Sequence, residues 1–194
     1  MCIKARQRGI SLIELIMFIV IVSVALAGIL LVMNVTTKSS SDPLVRKQAL
    51  AIAESLLEEV ALMPFTYCDP DDLNAASAVS ATVGGSGCNS TVEAFGPESA
   101  FIEQVTDETR YDVATPFDNV NDYDGFSMAV GAIHDITDTD IGLAGYSATV
   151  AVAESPLLAV AAADALLITV TVTGPDGVPI VVDGMRTRYA PKLP

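Results

Sequence analysis

A glutamate, Glu14, opens an apolar run that extends through residues 15–33 in the segment RGISLIELIMFIVIVSVALAGILLVM. An ionised carboxylate at the edge of hydrocarbon is costly and usually marks a functional position. Glu14 therefore needs a cation, from its own chain or from a neighbour. Cys68 and Cys88 are a second chemical pair, in loop-like sequence, while Cys2 lies in the basic leader. A bond between Cys68 and Cys88 suits an oxidising compartment, and two unpaired thiols are the alternative. The stretch FDNVNDYDG holds Asp118, Asn121, Asp122 and Asp124, oxygen ligands of the type calcium prefers. It lacks the EF-hand spacing and a bidentate Glu at the right place, so a solvated acidic turn is the competing reading. Asp135, Asp138 and Asp140 form a second acidic loop with a weaker case.

Catalytic constellations are missing. His134 is the single histidine, and G-x-S-x-G, P-loop and H-E-x-x-H patterns are absent. The expectation is a protein that is not an enzyme and that needs no cofactor, calcium being the one candidate.

The elements that must position these residues follow from periodicity. Residues 15–33 carry one polar residue, Ser23, and as a helix would span about 28 Å, close to the hydrocarbon thickness of a bilayer. Lys4, Arg6 and Arg8 precede the run, so the positive-inside rule keeps the N-terminus cytoplasmic. A cleavable secretory signal would have a shorter apolar core and no glutamate at its start. After TTKSSSDP, Asp42 can cap a second helix with Pro43 in its first turn. Val45, Ala49, Ile52, Leu56, Val60 and Met63 recur at helical spacing through residues 43–63, and Pro64 ends the pattern. The two helices can also join into one long rod with the serine-rich stretch as its weak point. Residues 66–100 read as loop, and a bond between Cys68 and Cys88 would stabilise it by about 3 kcal/mol. Strands are expected at residues 126–133 and 146–153 and, most clearly, at ITVTVT. There Ile168, Val170 and Val172 face one way and Thr169, Thr171 and Thr173 the other. The turn GPDG then leads into a partner strand. The fold class is α+β, an apolar and then amphipathic helix packed on a C-terminal antiparallel sheet at about residues 110–190.

The net charge of −14 and a pI near 4.1 disfavour nucleic acid as a partner, since like charges repel. They suit a solvated domain outside the cytoplasm. Arg186 and Arg188, late in the chain, are expected to pair with surface acids or to contact other subunits.

The segment RGISLIEL resembles the type IV prepilin signature: a short basic leader, a glycine, an apolar first mature residue and a glutamate four positions later. The resemblance implies cleavage after Gly9 by a prepilin peptidase and methylation of the new N-terminus at Ile10, a position where the family most often has phenylalanine. It also implies that Glu14 pairs with the N-terminal amine of an adjacent subunit as helices bundle. The implied domains are a leader (1–9), a transmembrane and assembly helix (10–34), an amphipathic continuation (35–64) and an extracytoplasmic globular domain (65–194). Further along, EEVALMPFTYCDPDD, FDNVNDYDGF and DALLITVTVTGPDG are similar to minor pilins of the mannose-sensitive haemagglutinin (MSHA) type, the D-like subunit. Such a protein would sit in the bacterial inner membrane with its C-terminal domain in the periplasm, and then enter an extracellular pilus. Its partners would be other pilin subunits, the peptidase, the inner-membrane assembly platform and, before assembly, membrane lipid. The alternatives are a pseudopilin of a type II secretion system and a calcium-dependent adhesin displayed on a pilin-like stem.

Overall fold

The computed structural model describes residue 9 and residues 11–98, 108–158 and 160–188, with the side chains of residues 37–42 outside that description. The chain divides into two compact units, Met1–Leu44 and Val45–Pro194.

Helix α1 runs Leu12–Leu62 and contributes to both units. Its first turn closes where the Leu15 N–H donates to the Ser11 carbonyl at 3.1 Å. Within the first unit, Leu12–Thr36 is long and apolar enough to cross a membrane. At 1.5 Å per residue these residues cover about 37 Å. Their large side chains find no cover in the chain: Leu12 is 76% and Leu31 70% exposed. The two hydroxyls in this stretch are satisfied locally, Ser23 Oγ donating to the Ile19 carbonyl at 2.7 Å and Thr36 Oγ1 to that of Val32 at 2.8 Å.

The backbone stays helical through Asp42 and Pro43. Of the two readings, the single long rod is the one observed, and no second helix starts at Asp42. An interior proline costs about 3 kcal/mol. Starting a separate helix costs a nucleation factor near 10⁻³, or about 4 kcal/mol, so continuing is the cheaper course.

In the second unit, Ala49, Ile52, Ala53, Leu56 and Val60 of α1 are buried. They join one core with Ala148, Val150, Val152, Ile168, Val170 and Val172. Val45 and Met63, at the ends of the expected stripe, are partly buried against it. The sheet is an antiparallel meander in the order β1-β2-β3-β4, with β1 Ser127–Met128, β2 Ser147–Glu154, β3 Ala165–Thr173 and β4 Pro179–Thr187. In β3 the apolar residues Ile168, Val170 and Val172 are buried while the intervening threonines are half-buried, as alternation requires. The β3–β4 hairpin pairs Thr173 with Pro179, and Gly177, at φ 72°, closes its turn by donating to the Gly174 carbonyl.

The expected strand at 126–133 shrinks to the two residues of β1. Ala132 N–H donates to the Ala129 carbonyl at 3.0 Å and Gly131 has φ 78°, so the chain turns away from the sheet at once. Residues 110–126, expected inside the sheet region, form turns and a short 3-10 segment, Val120–Tyr123.

Candidate functional site

Gly9 is exposed, with open space where a side chain would project. Ile10 lies outside the described residues. Glu14 occupies the first turn of α1 and is solvent-exposed. Among the described residues no cation pairs with it. Its own helix offers a partial remedy, because the free N–H groups and positive dipole end of a helix N-terminus favour an acid there. Ser11 and Glu14 also have capping-box spacing, a local signal that periodicity reasoning passed over. Among the described residues nothing else meets that charge, at the edge of an apolar surface.

The second candidate lies in the second unit. Cys68 and Cys88 form a disulfide, and both are fully buried. The loop they close is knitted around Asp72. Its Oδ1 accepts the N–H groups of Asn74 and Asn89 at 2.8 and 2.9 Å, and its Oδ2 those of Ser90 and Thr91 at 2.7 and 2.9 Å. These donors hold the Asp72 carboxyl well below its usual range. Within CDPDDLN only the Asn74 N–H is a local donor to Asp72; the other three backbone donors arrive from a segment 17 to 19 residues away, which the local pattern does not announce.

The loop then delivers carboxylates to the 3-10 segment. Glu93 N–H donates to the Tyr67 carbonyl at 3.1 Å, and Gly96 N–H to the Asn121 carbonyl at 3.0 Å. Oxygens of Glu93, Glu98 and Asp122 consequently lie within 4.8 Å of one another. Asp122 is fully buried and uses Oδ2 to accept the N–H groups of Asp118 and Asn119 at 2.8 and 2.7 Å. Both Glu93 oxygens, Glu98 Oε1 and Asp122 Oδ1 are inaccessible and have no hydrogen-bond partner among the described residues. Burial, and then the neighbouring carboxylates, push Glu93 up to about 9. Burial leads again at Glu98, raised to about 10, with the Glu108 hydrogen bond and nearby acids adding to it. Glu108 and Asp122 are raised as well, by burial first.

This geometry redistributes the acidic residues read from FDNVNDYDG. Asp118 faces Asp69 and Asp71, a separate group with oxygens within 4.8 Å, and burial followed by the Asp122 charge raises it to about 7. Asp122 faces Glu93 and Glu98. Asp124 Oδ1 is taken by the Val152 N–H at 2.9 Å. Asn121 is 5% exposed, its side-chain oxygen has no partner, and it lines a cavity of about 130 Å³ with Glu93 and Arg188. The four residues do not converge on one point, because a tight 3-10 turn sends successive side chains to different sides. In the other acidic loop, Asp135 Oδ1 accepts from the Thr137 N–H and Oγ1 and from the Thr139 N–H, while His134 Nδ1 meets Asp138 Oδ1 at 2.8 Å. That loop satisfies itself.

Two arginines complete the picture. Arg110 clamps Glu59 of α1 in a bidentate pair at 2.6 and 2.7 Å, and Glu59 also accepts the Tyr123 hydroxyl at 2.8 Å. The Glu59 partnership, opposing burial, holds the Arg110 guanidinium above its ordinary value. Arg188 stacks on Phe65 and Tyr67 at 3.8 and 4.1 Å, pairs with Asp164 at 3.3 Å and donates to the carbonyls of Thr66 and Ala163. Arg186 donates to the Met63 carbonyl at 3.3 Å. Arg188 thus pairs with an acid, as expected, and both late arginines also tie the residues just after α1, Met63 and Phe65 to Tyr67, to the end of the sheet.

No curated protein and no solved structure matches the chain. Residues 4–30 match the family described as the prokaryotic N-terminal methylation motif, and this match supports a protein of the type IV pilin and pseudopilin kind.

Proposed function

We propose that this protein is a minor subunit of a type IV pilus of the MSHA kind. Residues 1–9 are a leader removed by a prepilin peptidase on the cytoplasmic face, and Ile10 becomes a methylated N-terminus. The domain that follows the membrane segment is periplasmic until the subunit enters the filament. The work is structural, with no reaction catalysed. Before assembly, lipid covers Leu12–Thr36; in the filament, the helices of other subunits cover it.

The observation that carries this reading is the methylation motif at residues 4–30, coinciding with a helix whose apolar side chains are exposed and whose first turn holds Glu14. Cleavage would create an amine four residues before Glu14, and that distance puts the two on one helix face. An amine on the same chain or on a neighbour then neutralises the acid, and an unpaired charge penalises docking in the wrong register.

Mass measurement of the chain recovered from filaments tests the reading: a chain starting at methylated Ile10 is expected, and one that retains residues 1–9 would refute it. Glu14→Ala should insert into the membrane normally while its incorporation into filaments falls at least about tenfold, the consequence of losing a charge pair in an apolar setting. Normal incorporation would remove the proposed role for the acid.

The same motif serves the pseudopilins of type II secretion, and so supports a second reading. Deletion of the gene separates the two: loss of surface pili favours the pilus, and loss of exoprotein secretion with pili intact favours the pseudopilus.

A further inference from the structure

The buried carboxylates of the second unit present an electrostatic problem that no hydrogen bond among the described residues resolves. Glu93 has neither oxygen hydrogen-bonded, and Glu98 and Asp122 each leave one buried oxygen without a donor. Buried polar atoms in folded proteins are nearly always paired, and buried charges are paired or bind metals. Arg188 lines the cavity beside Glu93, yet its guanidinium is engaged by Asp164 and by the carbonyls of Thr66 and Ala163. It donates no hydrogen bond to any of the three acids. The cluster is therefore short of positive charge at its centre.

We propose that Glu93, Glu98 and Asp122 form an internal site for one divalent cation of the calcium class. Three features of the geometry carry this. Oxygens bound to one calcium ion at about 2.4 Å lie no more than about 4.8 Å apart, and the three carboxylates meet that limit before any rearrangement. The unpartnered oxygens are sealed from solvent, so an ion at the cluster would meet acceptors with no competing donor. Asn121, nearly fully buried, adds a neutral carbonyl oxygen that has no donor and that borders the same cavity as Glu93. Carboxylate and amide oxygens without nitrogen or sulfur select a hard cation. Magnesium requires oxygens at about 2.1 Å in near-ideal octahedral order and sheds its water reluctantly, so a buried site built from protein oxygens suits calcium better. Glu93 and Glu98 come from the segment that follows the disulfide loop, and Asp122 from the 3-10 segment. The ion would cross-link the two. This inference is independent of the pilus reading, since it concerns residues in the second unit alone.

The test uses the full chain in detergent micelles. After exchange into calcium and removal of the excess, metal analysis should find one calcium per chain. Millimolar calcium should raise the Tm by about 5 °C or more over the chelator-treated protein. Titration calorimetry should show calcium bound at least about tenfold more tightly than magnesium. Glu93→Gln should lose the calcium response while its Tm in chelator stays equal to or above that of the parent, because an amide can donate to the two remaining carboxylates. Asp124→Asn, outside the trio, should keep the full response. A Tm indifferent to calcium, with no metal retained, would overturn the proposal and leave protons as what neutralises the cluster. Equal binding of magnesium would overturn the calcium assignment, and loss of the response in Asp124→Asn would overturn the ligand set.

Discussion

The two units break the ordinary rule of polarity in opposite directions. In the first, Leu12–Thr36 turns apolar side chains outward over its whole length. In the second, Glu93, Glu98 and Asp122 turn carboxylates inward. Exposed apolar area and buried charge are both unfavourable in an isolated chain, and both are informative for that reason. On the readings proposed above, each marks a place where something from outside would complete the structure: lipid or neighbouring helices for the one, a cation for the other. Glu59 supplies the contrast. It too is an acid facing the core, but Arg110 and Tyr123 satisfy it from within the chain, and nothing external is called for.

The largest effect expected from breaking this contrast is at Arg110. Arg110→Ala leaves Glu59 unpaired beside the core and should cost about 3–5 kcal/mol in denaturant unfolding. A loss under about 1 kcal/mol would mean that Glu59 reaches water once freed, and that the distinction between satisfied and unsatisfied acids is weaker than drawn. Next is a matched pair of truncations across the two units. Ile168→Ala, at a fully buried position, should lose about 2–5 kcal/mol of stability. Leu26→Ala, at an exposed position, should change unfolding of the sheet unit by less than about 0.5 kcal/mol in detergent. Equal losses at both sites would show that the apolar face of α1 is covered within the chain. The smallest effect concerns acid. Asp72 has its carboxyl depressed by backbone donors, so its contribution is complete above its unfolded value near pH 4 and is lost as pH falls toward the lowered native value. Asp72→Asn should therefore flatten the fall of Tm below about pH 4 relative to the parent, and an unchanged acid limb would assign that fall to other carboxylates.

Much of the fold was legible because its signals are local. The stripe Ala49, Ile52, Leu56, Val60 and the alternation Ile168, Val170, Val172 both describe the buried faces found in the structure. Ala53 joined that stripe unannounced, since a small residue packs closely against the sheet without standing out in a periodic pattern. The misreadings have equally local causes. Residues 126–133 carry strand-like residues, but Gly131 turns the chain after two paired residues. Asp42 and Pro43 form a good helix start, but helix on both sides carried the backbone through.

The amino-acid order alone determined the long apolar helix with its acid at the first turn, the amphipathic stripe and the β3–β4 hairpin, because each depends on residues within a few positions of one another. Only the tertiary structure decided that Asp118 and Asp122 part company and that Asp122 meets Glu93 and Glu98 instead. The disulfide, the ring of donors around Asp72 and the backbone bonds at Glu93 and Gly96 fold one stretch of chain onto a 3-10 turn that follows it by more than twenty positions. Periodicity holds no record of where a cross-linked loop will set down its side chains.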